Sequence, residues 1–192
     1  MAQVYARLYL GDPELLKDLD LAAGNGLPLA DANAIQSMCD RFVGNKFELI
    51  TSPKVLSNPG QEAEIRVQNQ ISFIADWSVV SVFPGPIDIV DPEIETMAEG
   101  MMMQSRVLQI GPDSYGLDLN IEYSKVRQPI PTRTMQVGEQ ELMVSTPELR
   151  TSQIETKLIL PGGGGVLFRL PNRATPGDEL FLVLEFQPVK LK

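Results

Sequence analysis

Between Glu62 and Ala75 the chain alternates apolar and polar side chains with one interruption. Ala63, Ile65, Val67, Ile71, Phe73 and Ala75 fall on one side. Glu62, Glu64, Arg66, Gln68, Gln70 and Ser72 fall on the other, and Asn69 is the exception. A period of two is the repeat of a β-strand, whose successive side chains point to opposite faces. The pattern also pins the register, because a slip of one residue would carry every apolar side chain to the wrong face. Residues 117–124 repeat it without error, with Leu117, Leu119, Ile121 and Tyr123 against Asp118, Asn120, Glu122 and Ser124. Residues 3–10 do the same with Val4, Ala6, Leu8 and Leu10. Three such stretches commit the chain to sheets with one dry and one wet face.

Helical spacing is confined to the first quarter. Pro13 suits a first helical position, and Leu15, Leu16, Leu19 and Leu21 follow at helical intervals. A stronger helix begins at Asp31, a natural cap. Ile35, Met38, Cys39, Phe42 and Val43 form its apolar stripe and Gly44 stops it. Cys39 on that stripe reads as a small core residue, since a reactive thiol would want a helix N-terminus or a histidine partner.

The remaining segments read as strands and turns. "FELITSPKVL" is one strand with Pro53 marking an edge, bulge or break. "AAGNGLP" and residues 127–148 read as irregular. Residues 150–160 form a strand, "PGGGG" a tight turn and "VLFRL" its hairpin partner. The final "ELFLVLEFQPV" is apolar on both faces, so it belongs in the middle of a sheet or between layers. About eight strands without βαβ alternation predict a mainly β fold with one or two helices near the N-terminus and antiparallel sheets.

Residues 76–100 change character. Trp77, Val79, Val80, Val82 and Phe83 precede three prolines. Asp88, Asp91, Glu93, Glu95 and Glu99 then follow without a single base. This acidic run lacks the spacing and the glycine of a calcium loop, so it reads as a solvated or gate-like face. The net charge of the chain is −9, and residues 1–100 account for it with 15 acidic and 6 basic side chains. Such a balance disfavours nucleic acid as a partner, because phosphate binding needs a clustered basic face.

Catalytic chemistry finds little footing. The chain has no histidine and one cysteine. That removes histidine-based triads and the usual zinc sites, and it leaves no intrachain disulfide. "PGGGG" lacks the Lys-Ser/Thr that ends a phosphate loop, since Val166 and Leu167 follow it. No cofactor or metal site is expected, and the chain does not read as an enzyme.

The ordered pieces resemble the C-terminal domain of the bacterial secretins, the ring-forming outer-membrane channels of type II and type III secretion and type IV pili. Ser52, Pro53, Lys54, Val55 and Leu56 match a family motif, and Ala63, Ile65 and Val67 match the strand that follows it. Pro112, Thr156, the glycines at 163–165 and Pro188 match later landmarks. Gln68 and Ser72 stand where family members usually carry glycine and proline.

The resemblance implies a single secretin-like domain over residues 1–192, the C-terminal part of a longer precursor, with 76–100 as a gate-like insert. It implies a homo-oligomeric ring with strands shared in a barrel, at the outer membrane facing the periplasm. Its partners would be other copies of the chain, a secreted protein or pilus, and outer-membrane lipid. Gln68, Ser72, Trp77, Phe83, Asp88, Asp91, Glu93 and Glu95 would lie in the gate region. The pattern alone admits a second class, a soluble β-sandwich for protein binding or structure, cytoplasmic if the chain is complete. A hydrolase or carbohydrate-active β-protein is the weakest reading.

Overall fold

The computed structural model describes residues 1–19, 21, 26–82, 87–137, 140–170 and 179–189, with backbone alone at 80–82 and 87–89. The chain is mainly β, with a 3-10 turn at Pro13–Leu19 and, among the described residues, one α-helix, α1, at Ala32–Gly44. Contacts divide it into two compact units. The first comprises residues 1–67, 101–123 and 151–192, the second residues 68–100 and 124–150.

The first unit is built on β1 (Ala2–Gly11) and β12 (Glu179–Pro188), which pair antiparallel over ten residues. Around them lie β2 (Gly26–Leu29), β3 (Glu48–Thr51), β4 (Lys54–Ser57) and β11 (Gly165–Leu170). The order is β2-β11-β12-β1-β3, with β4 also on β1. β12 is buried on both faces, as its apolar run predicts. Leu180, Leu182, Leu184 and Phe186 enter one core and Phe181 and Val183 another.

The second of these cores holds α1. Asp31 caps the helix by accepting from the Ala34 backbone N–H at 2.9 Å. Ile35, Cys39 and Phe42 turn inward. Phe42 stacks on Tyr9 with ring centroids 4.5 Å apart and meets Phe47 and Phe181 edge-on or tilted. Beyond Val183 the same sheet face turns polar. Glu185 is buried and lies 3.0 Å from Arg7, whose guanidinium sits 4.0 Å over the Tyr5 ring. Charge pairing and stacking together offset the cost of taking Glu185 out of water.

The first core is closed by a four-stranded sheet of order β10-β7-β6-β5. Its strands are β5 (Glu62–Val82), β6 (Ile87–Gln109), β7 (Ser114–Val126) and β10 (Leu149–Pro161). Within the first unit, Met101, Met103, Val107, Leu117, Leu119, Ile121, Ile154 and Leu160 are buried there, with Ala63 and Ile65 packed beside them. The dry faces read at Ala63 and Ile65 and at Leu117–Tyr123 lie here, whereas Val67 is exposed and Ile71, Phe73 and Ala75 belong to the second unit.

Several boundaries differ from the sequence reading. "FELITSPKVL" is two short strands, because Pro53 has no N–H to give a ladder. Its carbonyl still accepts from Ala6 at 3.0 Å, so both halves stay on β1. The glycine turn does not close a hairpin: β10 and β11 lie in different sheets, and the turn carries the chain from one to the other. "GLPL" supplies a strand where the sequence reads as loop, and residues 132–145, an irregular stretch open to loop, lip or extra strands, supply two more. In the second unit β8 (Thr132–Val137) and β9 (Gln140–Ser145) form a separate antiparallel pair. Trp77 is half-buried and donates its indole N–H to the Met143 carbonyl at 3.0 Å, tying β9 to β5. No sheet closes on itself among the described residues.

Gly165 has a packing reason to be glycine. A Cβ there would lie 2.2 Å from the Leu184 carbonyl oxygen, which is sheet backbone and has nowhere to go. Gly44 faces open space. We expect Gly165→Ala to cost about 1–3 kcal/mol or more, against under about 1 kcal/mol in either direction for Gly44→Ala. Urea unfolding monitored by circular dichroism measures both.

Candidate functional site: the polar face of the four-stranded sheet

Opposite the dry face, the first unit presents polar side chains from all four strands. They surround a shallow depression of about 650 Å³ with Glu62, Gln104, Arg106, Asp118, Asn120, Glu155 and Lys157 on its walls. One row crosses the whole sheet. Gln104 Nε2 donates to Glu64 Oε2 at 2.8 Å, Asn120 Nδ2 donates to Gln104 Oε1 at 3.3 Å, and Gln153 Nε2 donates to Asn120 Oδ1 at 3.0 Å. Arg66 Nε donates to the same Glu64 carboxylate.

The direction of this row follows from its first member. An ionised carboxylate only accepts. Gln104 must therefore turn its amino group toward β5 and its oxygen toward β7. Asn120 is then obliged to donate, and its own oxygen obliges Gln153 to donate in turn. Every link points toward β5.

Glu64 is held below the usual carboxylate range, first by the Gln104 amide and then by Arg66. A carboxyl so lowered contributes stability that is whole above the ordinary 4.5 and is lost as pH falls through the lowered value. Arg106, in the same depression, donates from Nε to the Gly60 carbonyl at 3.2 Å. Lys157 lies 3.7 Å from Asp118 and is largely exposed. Among the described residues no group of three His, Cys, Asp or Glu side chains is placed to hold a metal ion. What the face offers is hydrogen bonding and alternating charge.

Of the gate-region candidates, Gln68, Ser72 and Trp77 belong to β5 and Asp91, Glu93 and Glu95 to β6, all in the second unit. Gln68 and Ser72 are exposed along β5. Trp77 makes the Met143 contact described above. Asp91, Glu93 and Glu95 are exposed at alternate positions of β6, hence on one side of that strand. Phe83 lies outside the described residues, as does the side chain of Asp88, whose backbone belongs to β6. A second carboxylate anchor, Glu148, was not singled out from the sequence. It lies 3.0 Å from Arg127 and 3.1 Å from Arg150, which hold its carboxyl low. The Arg127 N–H also donates to the Glu148 carbonyl at 2.9 Å, joining the end of β7 to the start of β10. The crossing row was equally missed: its members read as polar-face residues, but their partnership needs the strand register.

Comparison with protein-family models, with curated proteins and with solved structures gives no match.

Removing the amide that anchors the row should release Glu64. In Gln104→Ala its carboxyl is expected to titrate closer to 4.5 than in the parent protein. Side-chain carboxyl NMR across pH 2–6 reads the shift, and an unchanged titration would contradict the row.

Proposed function

We propose that the chain is a subunit of a secretin-like channel. Copies join into a homo-oligomeric ring whose sheets line a passage through the bacterial outer membrane for secreted protein or pilus. The observation that carries this reading is the four-stranded sheet, with β5 and β10 at its two ends and no described strand beyond either. Four strands are too few to close a barrel, which takes about eight. Copies set edge to edge would supply the rest. β5 and β6 run 21 and 23 residues, well beyond the roughly 9–11 that cross a bilayer. A lumen filled with water calls for a polar face, and the crossing row provides one.

The matched landmarks occupy places where the fold needs them. Pro53 divides β3 from β4, Ala63 and Ile65 pack against the first core, and Gly165 lies where the chain changes sheets. The acidic alternate positions of β6 and the exposed part of β5 beyond Val67 are the gate in this reading. It acts by steric closure and charge, with no catalytic group or cofactor.

A soluble β-sandwich for protein binding or structure is the second reading. Its support is the first unit, where two sheets pack face to face around a core filled by a single chain.

Sizing and negative-stain microscopy of the full-length natural protein in detergent separate the two. Rings of many copies are expected, and a monomer with or without detergent would leave the sandwich. The gate has its own test. Ser78 Oγ reaches the Asp91 carbonyl at 3.4 Å, so β5 and β6 stand opposite each other there. Replacing Val79–Val90 with Asn-Gly closes the strands with a short turn. We expect rings to persist and liposome-reconstituted rings to pass small solutes faster. Unchanged passage would remove these residues from the gate.

A further inference from the structure

We infer that the two ends of the four-stranded sheet are complementary in one register. β10 of one copy pairs antiparallel with β5 of the next, with Glu155 opposite Arg66, Lys157 opposite Glu64 and Gln153 opposite Gln68. The inference rests on the reading of the chain as a ring subunit and specifies how its copies join.

Direction comes first. Glu64 meets Gln104 and Ser78 meets Asp91, so β5 and β6 run opposite ways; β6 turns directly into its neighbour β7 at 110–113, so β5 and β7 run the same way. The Arg127–Glu148 backbone bond joins the end of β7 to the start of β10, so β10 runs opposite to β7. β10 set beside another copy's β5 therefore continues an antiparallel sheet. Both strands are sheet ends, where backbone N–H and C=O groups are open to pairing. The joint uses two different edges, so it is heterologous and propagates from copy to copy until it closes.

Register comes next. Shifts must be even, because an odd shift would turn the dry face of one copy onto the wet face of its neighbour. On the wet face β5 offers Glu62, Glu64, Arg66 and then Gln68, while β10 offers Gln153, Glu155 and Lys157. All seven are exposed, and Glu155 enters none of the ion pairs found among the described residues. Pairing Arg66 with Glu155 places Glu64 against Lys157. A shift of two one way sets Glu64 against Glu155. A shift of two the other way sets Arg66 against Lys157. Only the middle register gives two opposite-charge pairs and no like-charge pair, and directly opposed cross-strand charges of like sign are destabilising.

The crossing row adds a constraint of its own. Each of its amides donates toward β5, so Gln153 turns its oxygen away from Asn120, toward the open side of β10. In the chosen register that oxygen meets Gln68, whose amide can donate to it. On the other face the same register sets Ala63 and Ile65, which pack on the first core, and the exposed Val67 against Leu158, Thr156 and Ile154, so the apolar face continues across the joint. Ile159, exposed in one copy, comes opposite Glu62.

Cysteine pairs test the register in the full-length protein with Cys39→Ala. Directly opposed residues of antiparallel strands lie within disulfide reach. Arg66→Cys with Glu155→Cys should give, on oxidation, a reducible ladder of covalent multimers on denaturing gels. Glu64→Cys with Glu155→Cys should not. Charge reversal tests it without cysteines: Arg66→Glu and Glu155→Arg should each lose assembly, and the double variant should regain it. If microscopy shows rings while the shifted pair cross-links, or neither pair does and the double variant fails to recover, the register is overturned and the ring reading stands. If the parent protein forms no assembly, the ring reading falls and takes the register with it.

Discussion

Everything in the first unit hangs on β12 being buried from both sides. A strand that is apolar on both faces from Leu180 to Leu184 cannot sit at an edge or face water. It forces a layer on each of its faces. One face recruits α1 through Phe42, Tyr9 and Phe47, and the other recruits the four-stranded sheet through Met101, Met103, Leu119 and Ile121. Burying side chains of this size contributes about 1.5–3 kcal/mol each, so a layer can be lost only at the cost of a core. The relief from this rule is local. At Glu185 the helix-side face turns polar, and Arg7 and Tyr5 are there to receive it.

The four-stranded sheet obeys a different rule. It is alternating, so it needs only one covered face, and its wet face is free to carry information. That freedom is used for a row of amides given direction by one carboxylate. Directionality matters because an amide row anchored by an acceptor at one end must expose an acceptor at the other. A polar face of unanchored serines would have no such sense, since each hydroxyl can donate or accept.

How much of this was legible in the sequence depends on how many residues vote. The strands around Ile65 and Leu119 were legible because many alternating positions agree. α1 was legible because a cap and a stripe coincide, although Val43 of that stripe is exposed and the helix runs through Gly44 to a cap at Asn45. β2 was not, because four residues containing Pro28 carry no period. The sequence leaves β8 and β9 undecided between loop, lip and strand for a related reason: most of their side chains are exposed, so no apolar face marks them. The turn at 161–165 misled because a glycine cluster between two strands ordinarily makes a hairpin. Yet a signal was present. "LRTSQIETKL" alternates while "VLFRL" is apolar almost throughout, and two strands with such different burial belong in different sheets. The crossing row was half legible. Its members could be assigned to the wet face, but which of them touch is a matter of register, and register between strands distant in sequence leaves no local trace.

A soluble protein that must keep an open edge unpaired tends to place like charges or prolines along it, so that any approaching copy is repelled in every register. β5 and β10 do otherwise. Each alternates its signs within two neighbouring wet positions, Glu64 with Arg66 and Glu155 with Lys157. A mixed edge repels a copy that arrives two residues out of step and attracts one that arrives in step. Uniform charge would protect the edge, and an uncharged one would leave register open. Mixed charge does neither: it makes pairing conditional on alignment. In the ring proposed for this chain, conditional pairing is the more demanding requirement. One misaligned joint would shear every later strand away from closure, because a barrel closes only when stagger and strand number agree.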